Sequence, residues 1–225
     1  MGNCHKAVLF DLDGTLIDTA PDLVGALFAT CDAFDAPRPA YDLARSHVAN
    51  GGVGLVALAL GDRDDAERSA AYRYLLDHYA THIADHSTVY PAWANALASM
   101  DSPWGVVTNK PQSLADALFK ALAVEGHTCL IGGDLLAQRK PDPAPLVFAA
   151  GRLNTLPQNC IYIGDHERDI RAANAAGMCS VGVSYGYLVD GDDATDWSAD
   201  YVCDSDSQAV ATVMQWLADD ERATA

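Results

Sequence analysis

The sequence is short of positive charge. It has 14 lysines and arginines against 31 aspartates and glutamates, which gives a net charge of −17. Proteins that bind nucleic acid or anionic membranes use basic patches to neutralise phosphate groups, so we expect neither partner. The same charge repels anionic substrates at long range. Any phosphate-binding site must therefore be positive locally.

Three other features are missing. The six cysteines are scattered and form no C-x-x-C pair; Cys129, Cys160 and Cys179 lie in apolar runs typical of strands, where buried, reduced thiols are expected. The N-terminus lacks a basic region followed by an apolar one, so no signal peptide is expected. No apolar run has the length of a membrane-spanning helix. A cytoplasmic location fits these absences.

Alternation of strand-like and helix-like segments is the main pattern that is present. Half of the 225 residues are hydrophobic, enough for a sizeable core. From Tyr90 onwards short apolar runs alternate with segments of helical period, which predicts an α/β fold with a parallel sheet covered on both faces. The predicted strands are residues 7–10, 104–107, 128–131, 160–163, 180–183 and 201–203. Helices are predicted at residues 91–100, 112–121, 144–153, 169–176 and 208–218.

One block departs from this alternation, because residues 17–88 show helical periodicity only. It follows the first strand directly, and an insert at that point would cover the strand ends as a lid. We therefore predict an α/β core of residues 1–16 and 89–225 and an all-helical cap of residues 17–88. The predicted cap helices are residues 20–34, 41–46, 55–60 and 64–85.

Two aspartates stand at the end of the first predicted strand. Asp11 ends the apolar run, Asp13 follows two places later, and Gly14 permits a sharp turn. Neighbouring carboxylates are costly unless something positive lies between them. A divalent cation together with a phosphate group would explain the pair.

Polar residues also follow two later strands. Thr108 and Asn109 come after one strand, Asp165 and Asp169 come after another, and Lys140 precedes a helix. Each alone is typical of a helix cap or a turn. Because parallel strands end at one edge of a sheet, we expect all of these groups to meet there, where ligands of such sheets bind.

Their chemistry suits phosphoryl transfer. Asp11, rigidly held at the strand end, is the expected nucleophile, and Asp13 is the expected acid and then base. Mg²⁺ prefers oxygen ligands, which Asp11, Asp165 and the backbone carbonyl of Asp13 would supply. Thr108, Asn109 and Lys140 are predicted to bind the phosphate, and Asp169 to orient Lys140 or a metal-bound water.

These residues resemble the four signature motifs of the haloacid dehalogenase superfamily, in the same order and with similar spacing along essentially the whole chain. The motifs are Asp11-Leu12-Asp13-Gly14-Thr15, Val107-Thr108-Asn109, Lys140-Pro141 and Gly164-Asp165-x-x-x-Asp169. The insert resembles the helical cap of the superfamily's first cap class. The resemblance implies a Rossmann-like core and a Mg²⁺-dependent phosphatase that acts through an aspartyl-phosphate.

Within the superfamily, the chain is similar to phosphoglycolate phosphatases and most closely to N-acetylmuramic acid 6-phosphate phosphatases. The segments that carry this likeness are residues 104–111, 140–143 and 185–187. The resemblance implies a small phosphorylated metabolite as substrate, with 2-phosphoglycolate and N-acetylmuramic acid 6-phosphate as first candidates. The expected assembly is a monomer or a homodimer.

The glycine-rich segment of residues 50–54, which we call the cap loop, departs from that group. Members of the group carry an arginine where this chain has Val53. Such an arginine suits a substrate carboxylate, and we expect Arg45 or His47 to take its place. Asn50, Gly51 and Gly52 precede Val53. Their N–H groups either face an anion at a helix start or form a flexible turn, and they are candidates for substrate specificity.

Other functions are considered as well. A phosphosugar mutase of the β-phosphoglucomutase type would use the same aspartates but return the phosphoryl group to a sugar. A dehalogenase is disfavoured because, in the superfamily that this chain resembles, that activity is typical of members without an aspartate at the position of Asp13. A non-catalytic binding protein is disfavoured because it has no need of both aspartates. The triplet His78, His82 and His86 could hold a transition metal, although a polar helix stripe explains it better.

Overall fold

Strands and helices alternate through most of the chain in the computed structural model, which describes residues 5–219. The strands are β1 Ala7–Phe10, β2 Ile17–Asp18, β3 Thr88–Val89, β4 Trp104–Val107, β5 Cys129–Ile131, β6 Cys160–Gly164, β7 Cys179–Val183 and β8 Tyr201–Cys203. Six of them form one parallel sheet in the order β5-β4-β1-β6-β7-β8. The predicted α/β class and parallel sheet are confirmed.

Helices connect these strands and build a separate layer. They are α1 Ala20–Ala33, α2 Tyr41–His47, α3 Gly51–Leu60, α4 Asp65–Thr81, α5 Pro91–Leu97, α6 Gln112–Ala121, α7 Ala144–Arg152, α8 Glu167–Ala176 and α9 Asp206–Asp219. Three bounds differ from the predictions by three residues or more. Helix α3 begins at Gly51 instead of residue 55, α4 ends at Thr81 instead of residue 85, and α5 ends at Leu97 instead of residue 100. At the second point the backbone of His82 leaves the helical conformation, and its Nδ1 contacts Asp85 Oδ2 at 2.7 Å.

The central strand β1 is buried along its whole length and has helices on both sides. Val8 and Phe10 face a layer that includes residues of α5, α6 and α9. Ala7 and Leu9 face the opposite layer, which is formed with α7 and α8. The alternation of side chains along a strand explains how four consecutive apolar residues serve two layers.

Helices α1 to α4 pack on one another around their own apolar cluster, and we call them the cap. Leu27, Leu55, Leu75 and Tyr79 lie inside this cluster with no exposed surface. Leu114 and Tyr187, which come from outside the cap, also contact it. The cap is therefore a second packed layer next to the sheet.

A small antiparallel ladder, which sequence periodicity did not reveal, connects the two layers. Strands β2 and β3 pair Ile17 with Val89 and Asp18 with Thr88. Two residues a strand are too few to show a period of two. The domain boundaries predicted after residues 16 and 88 fall at this ladder.

The segment Tyr41–Leu60 corrects the expectation that nothing would reach the length of a membrane span. It is 20 residues long and helical nearly throughout, and its mean hydropathy is 1.2. By length and composition alone, it could cross a membrane. A 3-10 turn, Val48–Asn50, and a φ of +67° at Gly51 interrupt it. Its buried side chains, among them Val48, Leu55 and Leu60, pack in the cap cluster.

Among the described residues, Cys31, Cys129, Cys160, Cys179 and Cys203 are all free thiols. Burial raises the pKa of Cys129 to about 11. These thiols are therefore protonated near neutral pH. The reduced state expected for the cysteines of the strands stays a prediction.

Candidate active site

The ends of three neighbouring strands carry the residues singled out by sequence. Asp11 follows β1, Thr108 follows β4 and Asp165 follows β6. Because β1 pairs in parallel with both β4 and β6, the three strands end at the same edge of the sheet and these residues lie there together. The structure brings them together as the spacing predicted.

Lys140 lies at the centre of the site. Its Nζ is 2.7 Å from Asp11 Oδ1 and 2.7 Å from Asp169 Oδ1, and it donates a hydrogen bond of 2.8 Å to the hydroxyl of Tyr162. The ammonium thus has one hydrogen-bond acceptor and two carboxylates at ion-pair distance. Burial lowers the pKa of Lys140, but the attraction of Asp11 and Asp169 outweighs it and the pKa is raised.

Three buried carboxylates form a cluster next to this lysine. One oxygen from each of Asp11, Asp165 and Asp169 lies within 4.8 Å of the others. Burial, together with repulsion by Asp169, raises the pKa of Asp11 to about 6. Burial and the neighbouring carboxylates also raise the pKa of Asp165 well above its ordinary value.

The charge of this cluster fits a divalent cation. Three carboxylates and one lysine leave an excess of negative charge, and Asp169 Oδ2 is buried without a hydrogen-bond partner among the described residues. Carboxylate oxygens in this number are typical ligands of Mg²⁺ or a similar hard ion. Asp165 is oriented by the N–H of Tyr187, 2.9 Å from its Oδ2, and by the hydroxyl of Thr15, 3.3 Å from its Oδ1.

Asp13 lies apart from this cluster and is held by different partners. Its Oδ1 accepts a hydrogen bond of 2.9 Å from Lys110 Nζ and one of 2.6 Å from the hydroxyl of Thr19. The side chain is one-fifth exposed, which leaves it open to the cavity described below. The metal contact predicted for Asp13, through its backbone carbonyl, stays a prediction.

Lys110 is a site residue that the sequence reasoning missed. It is 8% exposed, and its Nζ lies 4.4 Å from the ring centre of Tyr79 in the cap. Burial opposes its charge, but Asp13 holds the pKa of Lys110 above its usual value. The available signal was its position directly after Thr108 and Asn109.

Thr108 and Asn109 are placed at the same edge by backbone contacts. The N–H of Thr108 donates to the carbonyl of Ile131, and its hydroxyl accepts from the N–H of Lys110 at 3.1 Å. Asn109 Nδ2 donates to the backbone carbonyl of Lys140 at 3.0 Å. Asn109 thus braces the loop that carries Lys140, and its predicted contact with phosphate stays a prediction.

A cavity of about 630 Å³ opens above these groups, between the sheet edge and the cap. Asp11, Asp13 and Lys140 contribute to its floor. Asn50, Gly51, Gly52 and Val53 line it from the cap. The candidate specificity residues of the cap loop therefore face the same space as the aspartates.

Arg45 and His47 lie elsewhere. Arg45 Nη1 contacts Asp18 Oδ1 at 2.8 Å, and its guanidinium stacks 5.0 Å from the ring centre of Tyr187. His47 Nδ1 is 2.9 Å from the carbonyl of Leu43. Neither side chain lines the cavity, and the specificity role predicted for them is not proposed further.

Three arginines of the core line the cavity instead. Arg139 precedes Lys140, while Arg168 and Arg171 belong to α8, which begins just after Asp165. Arg168 Nη2 donates a hydrogen bond across the cavity to the carbonyl of Ala49 in the cap. The signal that was overlooked is the spacing of three residues between Arg168 and Arg171, which places both on one face of a helix.

Known proteins are similar to this chain in sequence. A family model described as haloacid dehalogenase-like hydrolase matches residues 5–177. A phosphoglycolate phosphatase of Xanthomonas campestris pv. campestris is 38% identical over 207 residues, covering 90% of this chain and 94% of that protein. An N-acetylmuramic acid 6-phosphate phosphatase of Pseudomonas putida is 38% identical over 208 residues, covering 88% and 92% respectively.

Solved structures agree with these relatives. A protein described as a predicted phosphoglycolate phosphatase from Haemophilus somnus 129pt superposes with a TM-score of 0.84 at 25% identity, covering 94% of this chain and 99% of its own. The likeness therefore includes the cap as well as the sheet.

Proposed function

The chain belongs to the haloacid dehalogenase-like hydrolases and is a phosphatase, and we propose that it hydrolyses a small phosphate ester of a carboxylic acid through a phosphoaspartate. One observation carries this proposal. Asp11 and Asp13 face one cavity but have different partners, so that one is suited to attack and the other to proton transfer.

In the first half of the reaction, a carboxylate oxygen of Asp11 attacks the phosphorus and the bond to the ester oxygen breaks. Asp13 donates a proton to that leaving oxygen, so an alcohol departs and the phosphoryl group stays on Asp11. Lys140, 2.7 Å from Asp11 Oδ1, holds the nucleophile in place and balances charge on the phosphoryl oxygens.

In the second half, water attacks the phosphorus and Asp13, now ionised, accepts its proton. The bond between phosphorus and Asp11 breaks, which releases phosphate and restores the carboxylate. The contacts of Asp13 with Lys110 and Thr19 hold its carboxyl group in position for both proton transfers.

The carboxylate cluster is the place for a divalent metal ion, for which we propose Mg²⁺. Asp11 and Asp165 would hold it, with Asp169 beside them. When bound, such an ion neutralises the developing negative charge of the phosphoryl group. Asp169 also contacts Lys140 at 2.7 Å and so fixes the position of its ammonium.

The substrate class follows from the relatives and from the size of the cavity. The names phosphoglycolate and N-acetylmuramic acid 6-phosphate both describe phosphate esters of carboxylic acids. A cavity of about 630 Å³ lies in the range of volumes that is typical of sites for small-molecule ligands. We propose that one of these two compounds, or a close analogue, is the substrate.

A panel of phosphate esters tests this function. We expect release of phosphate from 4-nitrophenyl phosphate, 2-phosphoglycolate and N-acetylmuramic acid 6-phosphate, with the highest kcat/KM for one of the two acids. EDTA should stop the reaction and Mg²⁺ should restore it. Activity that is indifferent to EDTA would contradict the metal assignment, and a requirement for a bisphosphorylated sugar would indicate a mutase instead.

A further inference from the structure

The cavity differs in charge from the rest of the protein. Its lining includes five basic residues and four acidic ones, whereas the whole chain has a net charge of −17. Two of the basic residues already have acidic partners, because Lys110 contacts Asp13 and Lys140 contacts Asp11. The remaining cations are Arg139, Arg168 and Arg171.

All of these cations lie on the core side. Every described cap residue that lines the cavity is uncharged, including Asn50, Val53 and Tyr72. A substrate whose phosphate occupies the aspartate site would therefore find no ionic partner for a second acidic group on the cap. The arginines at the rim of the core are the groups available to it.

Arg168 is the best placed of the three. It is half-buried, whereas Arg139 and Arg171 are exposed, so less side-chain freedom is lost when it binds a ligand. One of its N–H groups donates to the carbonyl of Ala49. A guanidinium has five such donors, which leaves others for a second acceptor in the cavity.

Arg171 supports the same position from the next turn of α8. Within residues 5–219 its guanidinium makes no hydrogen bond or ion pair, and it faces the cavity. Two arginines three residues apart on one helix face can approach a single anion. The planar fork of arginine matches the two oxygens of a carboxylate.

We propose that Arg168, assisted by Arg171, binds the carboxylate of the substrate and thereby selects acidic phosphate esters over neutral ones. This inference rests on the proposed function and adds the residues that determine specificity. It also gives the contact between Arg168 and Ala49 a role in substrate binding. A substrate carboxylate on Arg168 lies on the same guanidinium that contacts the cap, so substrate and cap are held by one side chain.

Matched pairs of substrates test the proposal. N-acetylmuramic acid 6-phosphate differs from N-acetylglucosamine 6-phosphate by the lactyl ether that carries the carboxylate. In the same way, 2-phosphoglycolate is paired with 2-hydroxyethyl phosphate. In Arg168→Gln we expect kcat/KM for the preferred acid to fall about 10- to 100-fold, mainly through KM, and that for its neutral partner to change less than about threefold.

Two further variants serve as controls. Arg152→Gln removes the charge of an exposed arginine of α7 that does not line the cavity, and we expect unchanged kinetics on both members of each pair. Arg168→Lys keeps the charge but loses the fork, so its loss on the acid should be smaller than that of Arg168→Gln. This variant also carries the test if the glutamine variant does not fold.

The outcomes separate the possible failures. Equal losses on acidic and neutral members would overturn the proposal and leave Arg168 as a link between core and cap. A wild-type preference for a hexose bisphosphate over both acids would overturn the choice of a carboxylate. If the wild-type protein cleaves none of these esters, the proposed function itself is wrong and the inference falls with it.

Discussion

The core and the cap meet the same cavity with different chemistry. The core contributes charged side chains that are buried and paired, such as Lys140 between Asp11 and Asp169. The cap contributes backbone, small residues and uncharged side chains. The difference indicates that the phosphoryl group is handled by one layer, while the shape of the space for the rest of the substrate depends on the other.

The two layers also differ in how firmly they place their residues. Asp11 and Asp165 follow neighbouring strands whose ladder pairs Phe10 with Ile163, so their relative position is defined by backbone hydrogen bonds. In the cap, Gly51 at the start of α3 has a φ of +67°, and no heavy atom lies within 4 Å of the place where a Cβ would be. Catalytic geometry that must hold to a fraction of an ångström belongs in the first setting.

We expect the largest effect from Asp11→Asn, which tests whether the chemistry depends on the core. The amide is nearly the same size but cannot attack phosphorus, so we expect turnover to fall at least about 1,000-fold. Phosphate release from 4-nitrophenyl phosphate measures this loss, and circular dichroism confirms that the fold is kept. Substantial activity in the variant would mean that the nucleophile is another group.

Removal of Lys140 tests whether the paired charges of the core depend on one another. Lys140→Ala leaves Asp11 and Asp169 buried beside each other, and we expect the free energy of unfolding to fall by about 3 kcal/mol. Denaturant titration without added metal measures it. The matched control is Lys120→Ala at the exposed end of α6, which should change stability by less than about 0.5 kcal/mol. Equal stability of the two variants would contradict the pairing.

A dependence on pH follows from the same cluster. The pKa of Asp11 is raised from 3.8 to about 6, so the folded protein retains a proton that the unfolded chain releases. In protein freed of metal by EDTA, the free energy of unfolding should therefore fall as the pH rises from about 4 to 6. Denaturant titrations across this range measure the slope.

Two additions sharpen that measurement. Asp11→Asn should make the slope shallower, because one titrating carboxylate is gone. Mg²⁺ should offset the loss of stability at the upper end of the range, because it binds the ionised carboxylates. A slope that neither change affects would point to other groups.

The smallest effect would come from giving the cap a charge. Val53 is 66% exposed and lines the cavity, so Val53→Arg should leave stability within about 0.5 kcal/mol of wild type. We expect kcat/KM for acidic esters to rise by up to about threefold relative to neutral ones, since exposed charges interact weakly. Val53→Gln is the uncharged control. An equal rise in both variants would indicate a change of shape rather than of charge.

Much of the core could be predicted because its signals are local. The strand at residues 104–107 and the helix at residues 112–121 have the predicted bounds, since an apolar run and a helical period each define an element by themselves. Asp11, Thr108 and Asp165 meet because parallel strands end at one edge. This step needs the topology alone, which the alternation of elements indicates.

Residues whose role depends on contacts between layers escaped prediction. Lys110 contacts Asp13 and the ring of Tyr79, and Arg168 reaches the carbonyl of Ala49. No periodicity records such meetings, because the partners are far apart in sequence. The same reason explains the choice of Arg45, which contacts Asp18 at the β2–β3 ladder instead of lining the cavity.

The β2–β3 ladder joins the two ends of the segment that forms the cap. Ile17 and Val89 are paired neighbours, so the chain leaves the sheet layer and returns to it at adjacent points. Asp22 strengthens the junction by accepting hydrogen bonds from the N–H groups of His86 and Ser87 at 3.0 and 2.8 Å. Because the two ends of the inserted block lie side by side, the number of residues between them does not change the distance that the chain spans at the sheet. The cap is in this sense an insert whose two ends are fastened together at one point, so the strands that carry the catalytic aspartates continue past it as one sheet.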